Sequence, residues 1–218
     1  MKKEVLRNKK KIGSGLNGRC YELTNGDILK IFKIPKDISE IDKYKLFQKC
    51  QNESIIFPHD FYIKRNMFYG HISAKAPGQN VYTGLKFYSL DRILKSSLKL
   101  DRDVMYLSSE GIIMSDVHEE NMFYDGDRFS IIDVDEYKLL NGKFNQKRVY
   151  FSSIREIKVA LLDVIYDDFV SDKSIWLYYP LSDYCFCDYS ISETLYHIMT
   201  KIDEYNADKE KFIKKLMR

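Results

Sequence analysis

Three oxygen-bearing side chains near the middle of the chain stand at a spacing that suits phosphate and metal chemistry. Asp116 is followed five residues later by Asn121, and a second acid, Asp133, ends the apolar run Ser130-Ile131-Ile132. A carboxylate such as Asp116 can orient or deprotonate a hydroxyl nucleophile. Asn121 and Asp133 offer the hard oxygen atoms that magnesium prefers. His118 falls within the same stretch, where an imidazole either contacts a phosphate or holds the loop by hydrogen bonding.

A second cluster lies about a hundred residues upstream: Ile12-Gly13-Ser14-Gly15-Leu16-Asn17-Gly18, with Lys30 beyond it. A glycine run of this form is weak alone. In a dinucleotide-binding unit a helix should follow it directly. Here it leads into Arg19 to Leu23, then Asn25-Gly26, then Ile28 to Phe32, which reads as strand, hairpin turn, strand. No Gly-Lys-Ser/Thr closes the run, so a Walker loop is excluded. Glycines at a hairpin tip with a lysine on the next strand fit a flap over nucleotide phosphates. Leu29 and Ile31 should face away from Lys30, and Lys33, three residues on, belongs to the opposite face.

In this order and on these elements, the motifs resemble those of the protein kinase-like superfamily, which includes the aminoglycoside and choline kinase-type phosphotransferases. The glycine loop is similar at Gly13, Gly15 and Gly18, with Cys20 where kinases usually carry valine. Ile28-Leu29-Lys30-Ile31 looks like the strand of the phosphate-binding lysine, Asp116 and Asn121 match the catalytic loop, and Asp133 matches the metal-binding acid. The resemblance implies an α+β, bilobal kinase-like fold, with residues 1–76 a small antiparallel sheet carrying one helix and residues 77–218 mostly helical. It implies ATP and Mg2+ as cofactors, with Ile12, Gly13, Ser14, Gly15, Gly18 and Cys20 around the nucleotide. Lys30 would hold the α- and β-phosphates and be fixed by Glu40, or in its place by the shorter Asp42, with Asp116 as the catalytic residue and Asn121 and Asp133 on the metal.

The departures carry information too. Met114-Ser115 replaces His-Arg before the catalytic acid, Val134-Asp135 replaces Phe-Gly after the metal-binding acid, and no Ala-Pro-Glu follows. The D-x-H-x-x-N pattern of Asp116, His118 and Asn121 is similar to that of small-molecule and atypical kinases. These features argue against control by a phosphorylated activation loop. They leave the hydroxyl acceptor, protein Ser/Thr or small molecule, open. They also admit a pseudokinase that binds nucleotide as a regulatory or docking module.

Positioning such residues demands particular elements. Residues 3–34 read as a three-stranded meander ended by Pro35. Ile38 to Lys49 reads as a helix with Ser39 as a cap. Ser54 to Phe57, Phe61 to Lys64 and Phe68 to Ser73 read as strands, with Arg65-Asn66 turning between the last two. Ala74 to Gly78 breaks the pattern as a hinge. Helices are expected at about Lys86–Ser96 and Asp101–Glu110, the second ended by Gly111. Phe129 to Val134 should be the strand that delivers Asp133. Ser153 to Phe169 carries a helical apolar stripe, and Ile191 to Met217 a helical region broken near Asn206. Residues 170–190 offer no clear pattern.

Composition sets the bounds. A 218-residue chain with 44% hydrophobic residues can bury a sizeable core. Its 35 basic and 32 acidic residues leave a net charge of +3, which makes no strong case for nucleic acid or a membrane surface. The four cysteines show no disulfide spacing, and Cys185-x-Cys187 reads as two ordinary thiols. No apolar run approaches the roughly 20 residues of a membrane helix, and the first residues lack a secretory signal's apolar core, so the expectation is a cytoplasmic protein.

Overall fold

The computed structural model describes residues 9–50, 52–170 and 172–216. The chain divides into two compact units between Ala76 and Pro77, and it is a mixed α+β protein.

The first unit is built on a five-stranded antiparallel sheet: β1 (Lys10–Ser14), β2 (Gly18–Glu22), β3 (Ile28–Asp37), β4 (Pro58–Lys64) and β5 (Met67–Ser73), in the order β1-β2-β3-β5-β4. Local chemistry sets the hairpins. Gly26 turns β2 into β3 at φ 87°, with its N–H donating to the Leu23 carbonyl at 3.0 Å. Arg65 and Asn66 both take positive φ, 50° and 57°, the requirement of a tight two-residue turn whose twist matches its strands. Residues 3–8 of the expected meander lie outside the described residues. Pro35 does not end the third strand, which runs on to Asp37. Pairing of β3 with β5 is interrupted between Ile31 and Lys36, so a residue without an N–H costs no ladder bond there. Ser54–Phe57 is not a strand. The Asn52 side chain accepts the Ile55 N–H at 2.6 Å and turns the segment instead.

Helix α1 (Glu40–Phe47) is shorter than expected. Ser39 stands at its N-cap without a side-chain capping bond, because its Oγ donates to Asp37 Oδ1 at 2.7 Å. The helix buries Ile41, Tyr44 and Phe47. Tyr44 packs on Phe68 at 5.6 Å and on His71 at 5.6 Å, and Phe68 meets Phe32 edge-on at 5.0 Å. The other face of the sheet buries Leu23, Leu29 and Ile72, with Ile31 against them. Period-two alternation along β3 thus separates Leu29 and Ile31 from Lys30 and Phe32.

Where β5 passes β3 at Gly70, only glycine fits. A Cβ on Gly70 would lie 2.0 Å from the Lys30 carbonyl oxygen. Gly70→Ala should therefore push β5 off β3 at Lys30 and destabilise the unit by about 3 kcal/mol. Gly15→Ala, where a Cβ would meet nothing within 4 Å, should change stability by less than about 0.5 kcal/mol. Urea unfolding of both variants checks the pair, and equal midpoints would contradict the packing argument.

In the second unit three long helices surround the core: α3 (Leu90–Ser109), α4 (Gln146–Phe169) and α6 (Ile191–Ala207). They bury residues such as Leu100, Val104, Ile154, Leu161, Leu195 and Ile198. The two helices expected over 86–110 are one. Ser96 and Ser97, which look like a break, return their hydroxyls to the carbonyls of Arg92 (2.9 Å) and Leu94 (2.7 Å), and the helix continues through them. Gly111, at φ 75°, ends it as expected. Helix α4 begins before Ser153 because Asn145 caps it by accepting the Arg148 N–H at 3.1 Å.

Ahead of α3 lie β6 (Gln79–Asn80) and α2 (Val81–Gly84). Helix α5 (Ile175–Phe186) was not expected, because Pro180 lies inside it. Its apolar stripe Leu177, Leu181 and Cys185 is fully buried, and α5 packs on α4 and α6. Burial pushes the Cys185 thiol up to about 12, which makes it an inert core residue. A final helix, α7, spans Lys209–Leu216. Short strands complete the unit: β7 (Ile112–Ile113) pairs with β10 (Lys138–Leu139), and β8 (Met122–Tyr124) lies between β6 and β9 (Phe129–Ile131). The strand expected over 129–134 stops at Ile131, and a 3-10 turn over Val134–Glu136 follows. Among the described residues no helix is long and apolar enough to cross a membrane, and no disulfide joins the cysteines.

Candidate active site

In the first unit the residues of interest lie on the β1–β2 hairpin and on β3. Ile12 sits at an irregularity between Lys11 and Gly13, half-exposed, and Gly13 pairs with Cys20. The Gly15 N–H donates to the Gly18 carbonyl at 3.0 Å, and the Lys33 N–H donates to the Asn17 carbonyl at 3.0 Å, which ties the loop back to β3. The three glycines separate by role. A Cβ on Gly18 would stand 2.7 Å from the Ile31 oxygen and 3.4 Å from Lys30 Cε, so close strand approach requires glycine. Gly13 and Gly15 face no such crowding. Neither takes positive φ. Folding therefore does not demand glycine at these two positions, whereas a backbone that must approach a bulky anion would. Ser14 is exposed, and Leu16 at the tip is 91% exposed.

Lys30 is buried on the central strand, in register with Cys20 on one side and His71 on the other. The partner expected for it is placed elsewhere. Glu40 opens α1 on the solvent side, and its Oε2 lies 3.7 Å from Lys43 Nζ. The first turn of the helix brings residues i and i+3 together, and this carboxylate meets the lysine of its own helix rather than Lys30.

In the second unit the sequence from Ser115 to Glu136 forms one connected loop structure. Asp116 is exposed, with φ 62°, and Asp133 takes φ 61°, ψ 65°. Apart from the Arg65-Asn66 turn, these are the only described non-glycine residues in the left-handed region. Aspartate tolerates that conformation better than most residues, at a cost that persists only where the surroundings impose it. Here they do. The Met114 N–H donates to Ser153 Oγ at 3.1 Å, the Val117 N–H to Glu156 Oε2 at 2.8 Å, and Ser115 Oγ to the Glu136 carbonyl at 2.7 Å. Both sides of Asp116 are thus fastened to α4 or to the turn beyond Asp133.

Asn121 ends a 3-10 turn over Glu119–Asn121 and is buried. Its Nδ2 donates to the Asp116 carbonyl at 3.2 Å and lies 2.9 Å from His118 Nε2. With both amide hydrogens directed into the loop, Oδ1 is the group left to meet a cation. An amide oxygen and a carboxylate, the chemistry of Asn121 and Asp133, are donor types that suit magnesium. His118 thus takes part in holding the loop, one of its two expected roles. Asn121 and Ile132 are also linked, by the Ile132 N–H to the Asn121 carbonyl at 2.9 Å. Tyr137 is buried just after Asp133. Burial raises its phenol well above the usual range, and the nearby charges of Asp133 and Glu156 add to this.

Several contributors carried no sequence signal. Asn80 on β6 points its Nδ2 at the carbonyls of Glu119 (2.9 Å), Glu120 (3.0 Å) and Met122 (3.1 Å), while its Oδ1 accepts the Tyr82 N–H at 3.0 Å as the cap of α2. Gly78, at φ 78°, passes so close to β8 that a Cβ would lie 2.1 Å from the Tyr124 oxygen. Ser153 and Glu156 look like ordinary polar positions on α4. Asn80, Ser153 and Glu156 could not be found without knowing which backbone groups needed partners. Beside the loop a cavity of about 380 Å³ is lined by Val117, His118 and Glu119 together with Arg155, Glu156 and Asp163 of α4 and Phe186 of α5.

No protein-family model matches the chain, and no curated protein matches it.

Proposed function

We propose that the chain is an ATP- and magnesium-dependent phosphotransferase of the protein kinase-like kind, with a bilobal kinase-like fold, acting in the cytoplasm on a hydroxyl of a protein or small molecule. The observation that carries this reading is the loop from Asp116 to Asp133. Two acids in left-handed conformations, the first bracketed by fixed hydrogen bonds, flank an amide whose nitrogen is engaged within the loop. Strain maintained at chosen acids suits residues that must be aimed before the reactants arrive. Asp116, exposed, would orient the acceptor hydroxyl and take its proton. Asn121 and Asp133 would hold magnesium, which supplies neutralising charge to the phosphate oxygens. In the first unit, the uncrowded Gly13 and Gly15 would let backbone N–H groups approach the phosphates beside Lys30. The cavity next to Val117 and His118 is the candidate place for the acceptor.

A second reading is a pseudokinase, which the replacement of His-Arg by Met114-Ser115 and of Phe-Gly by Val134-Asp135 keeps open. A screen with γ-labelled ATP against protein, lipid and small-molecule fractions separates the two, with Asp116→Asn as the control. Magnesium-dependent label transfer that the control lacks supports the enzyme. A thermal shift with ATP, worth about 2.7 kcal/mol at a hundredfold excess over Kd, without any loss of the γ-phosphate supports the binding module.

A further inference from the structure

We propose that His118 is a positioning residue that fixes which way Asn121 presents its amide, an inference that rests on the phosphotransferase reading. The Asp116 carbonyl can only accept, so the Asn121 atom 3.2 Å from it is Nδ2. That same nitrogen lies 2.9 Å from His118 Nε2 and directs its second hydrogen there. Nε2 is therefore the bare nitrogen of the ring, and in the neutral imidazole the proton sits on Nδ1. Turning the amide over would set Oδ1 against a carbonyl and a bare ring nitrogen, two contacts between acceptors. The pair of bonds thus locks Oδ1 away from both and leaves it available to a cation.

The Asp116 bond is the longer of the two, so without His118 the amide would lose its shorter partner. Asn121 is buried, so water does not readily replace that partner. His118 itself is only half-buried, at the wall of the cavity beside Glu119 and Arg155, and is not a core-filling side chain. It would act on a metal through Asn121.

The test combines a direct metal readout with a spectroscopic one. Mn2+ binding followed by electron paramagnetic resonance, with a non-hydrolysable ATP analogue present, should weaken roughly 10- to 100-fold in His118→Phe. His118→Gln, whose carbonyl oxygen restores an acceptor, should recover most of the affinity. In turnover assays His118→Phe should need more metal for half-maximal rate. In the metal-free wild type, 15N resonances of His118 should report the Nδ1–H tautomer. Unchanged Mn2+ affinity in a folded His118→Phe, or an Nε2–H ring, would overturn the role of His118. A wild type that takes up no Mn2+ with the analogue would instead overturn the phosphotransferase reading itself.

Discussion

Asp133→Asn should remove magnesium-dependent ATP turnover, lowering kcat on the order of 10³-fold, equivalent to about 4 kcal/mol of transition-state stabilisation. Asparagine is the informative replacement because Asp133 occupies φ 61°, ψ 65°. Alanine there adds roughly 1–2 kcal/mol of backbone strain, so a loss in Asp133→Ala mixes a distorted loop with a missing charge. Asparagine tolerates the left-handed backbone, keeps the volume, and deletes only the charge that would hold the metal. Asp116→Asn follows the same logic at φ 62°. It should slow transfer by about 10²- to 10⁴-fold, the range of a lost general base, while leaving Mn2+ binding close to normal. The measurement is γ-phosphate transfer with saturating magnesium, alongside a thermal melt showing that each variant is folded. Wild-type turnover in Asp133→Asn would end the phosphotransferase reading.

The second large effect is on stability and lies away from the site. Asp101 is buried within α3, and its carboxylate gathers three donors. Oδ1 accepts the Tyr150 hydroxyl at 2.7 Å and the Ile191 N–H at 2.7 Å, and Oδ2 accepts the Ser192 N–H at 2.8 Å. The last two are free N–H groups at the start of α6, so a residue from α3 caps a helix ninety positions later. The Ser190 and Glu193 capping box secures the remaining end groups locally. Next to this cluster Lys158, also buried, donates to the carbonyls of Cys187 (2.9 Å) and Tyr189 (3.1 Å). Burial lowers the Lys158 ammonium, and nearby negative groups, Asp101 among them, oppose that effect.

Asp101→Ala leaves a buried hydroxyl, two buried or half-buried N–H groups and a less compensated ammonium. The expected loss is about 3–5 kcal/mol, or a fall in melting temperature of roughly 10 °C. Asp101→Asn keeps one acceptor and should lose about half as much. Calorimetry of the two variants checks the order, and a difference between them of less than about 0.5 kcal/mol would contradict this account of the cap.

Asp101 also marks where the sequence ceases to be legible. In sequence it is an acid in an amphipathic helix, indistinguishable from Asp91 or Asp103. Its importance comes from α6 being brought to it. The same holds for Asn80, whose amide serves three carbonyls some forty residues away. Glu40 fails for the complementary reason. The resemblance supplied a residue type in a plausible helix, but the pairing depends on which way that helix turns its first residue.

Short-range physics was readable from the chain alone. The Asn25-Gly26 and Arg65-Asn66 hairpins, the glycine ending α3, the apolar stripe of α4 and the alternation that sets Lys30 apart from Leu29 and Ile31 all depend on neighbours a few residues distant. So did the grouping of Asp116, His118 and Asn121, whose spacing is local. Tertiary structure decided the rest. It carried α3 through Ser96 and Ser97 and α5 through Pro180, because burial of the apolar stripe outweighs weak local signals. It required glycine at 70 and 78, where backbones approach, and left Gly13 and Gly15 uncrowded. It set Asp116 and Asp133 in a strained conformation that propensity alone would not select, since only contacts with α4 and the turn after Asp133 can impose it.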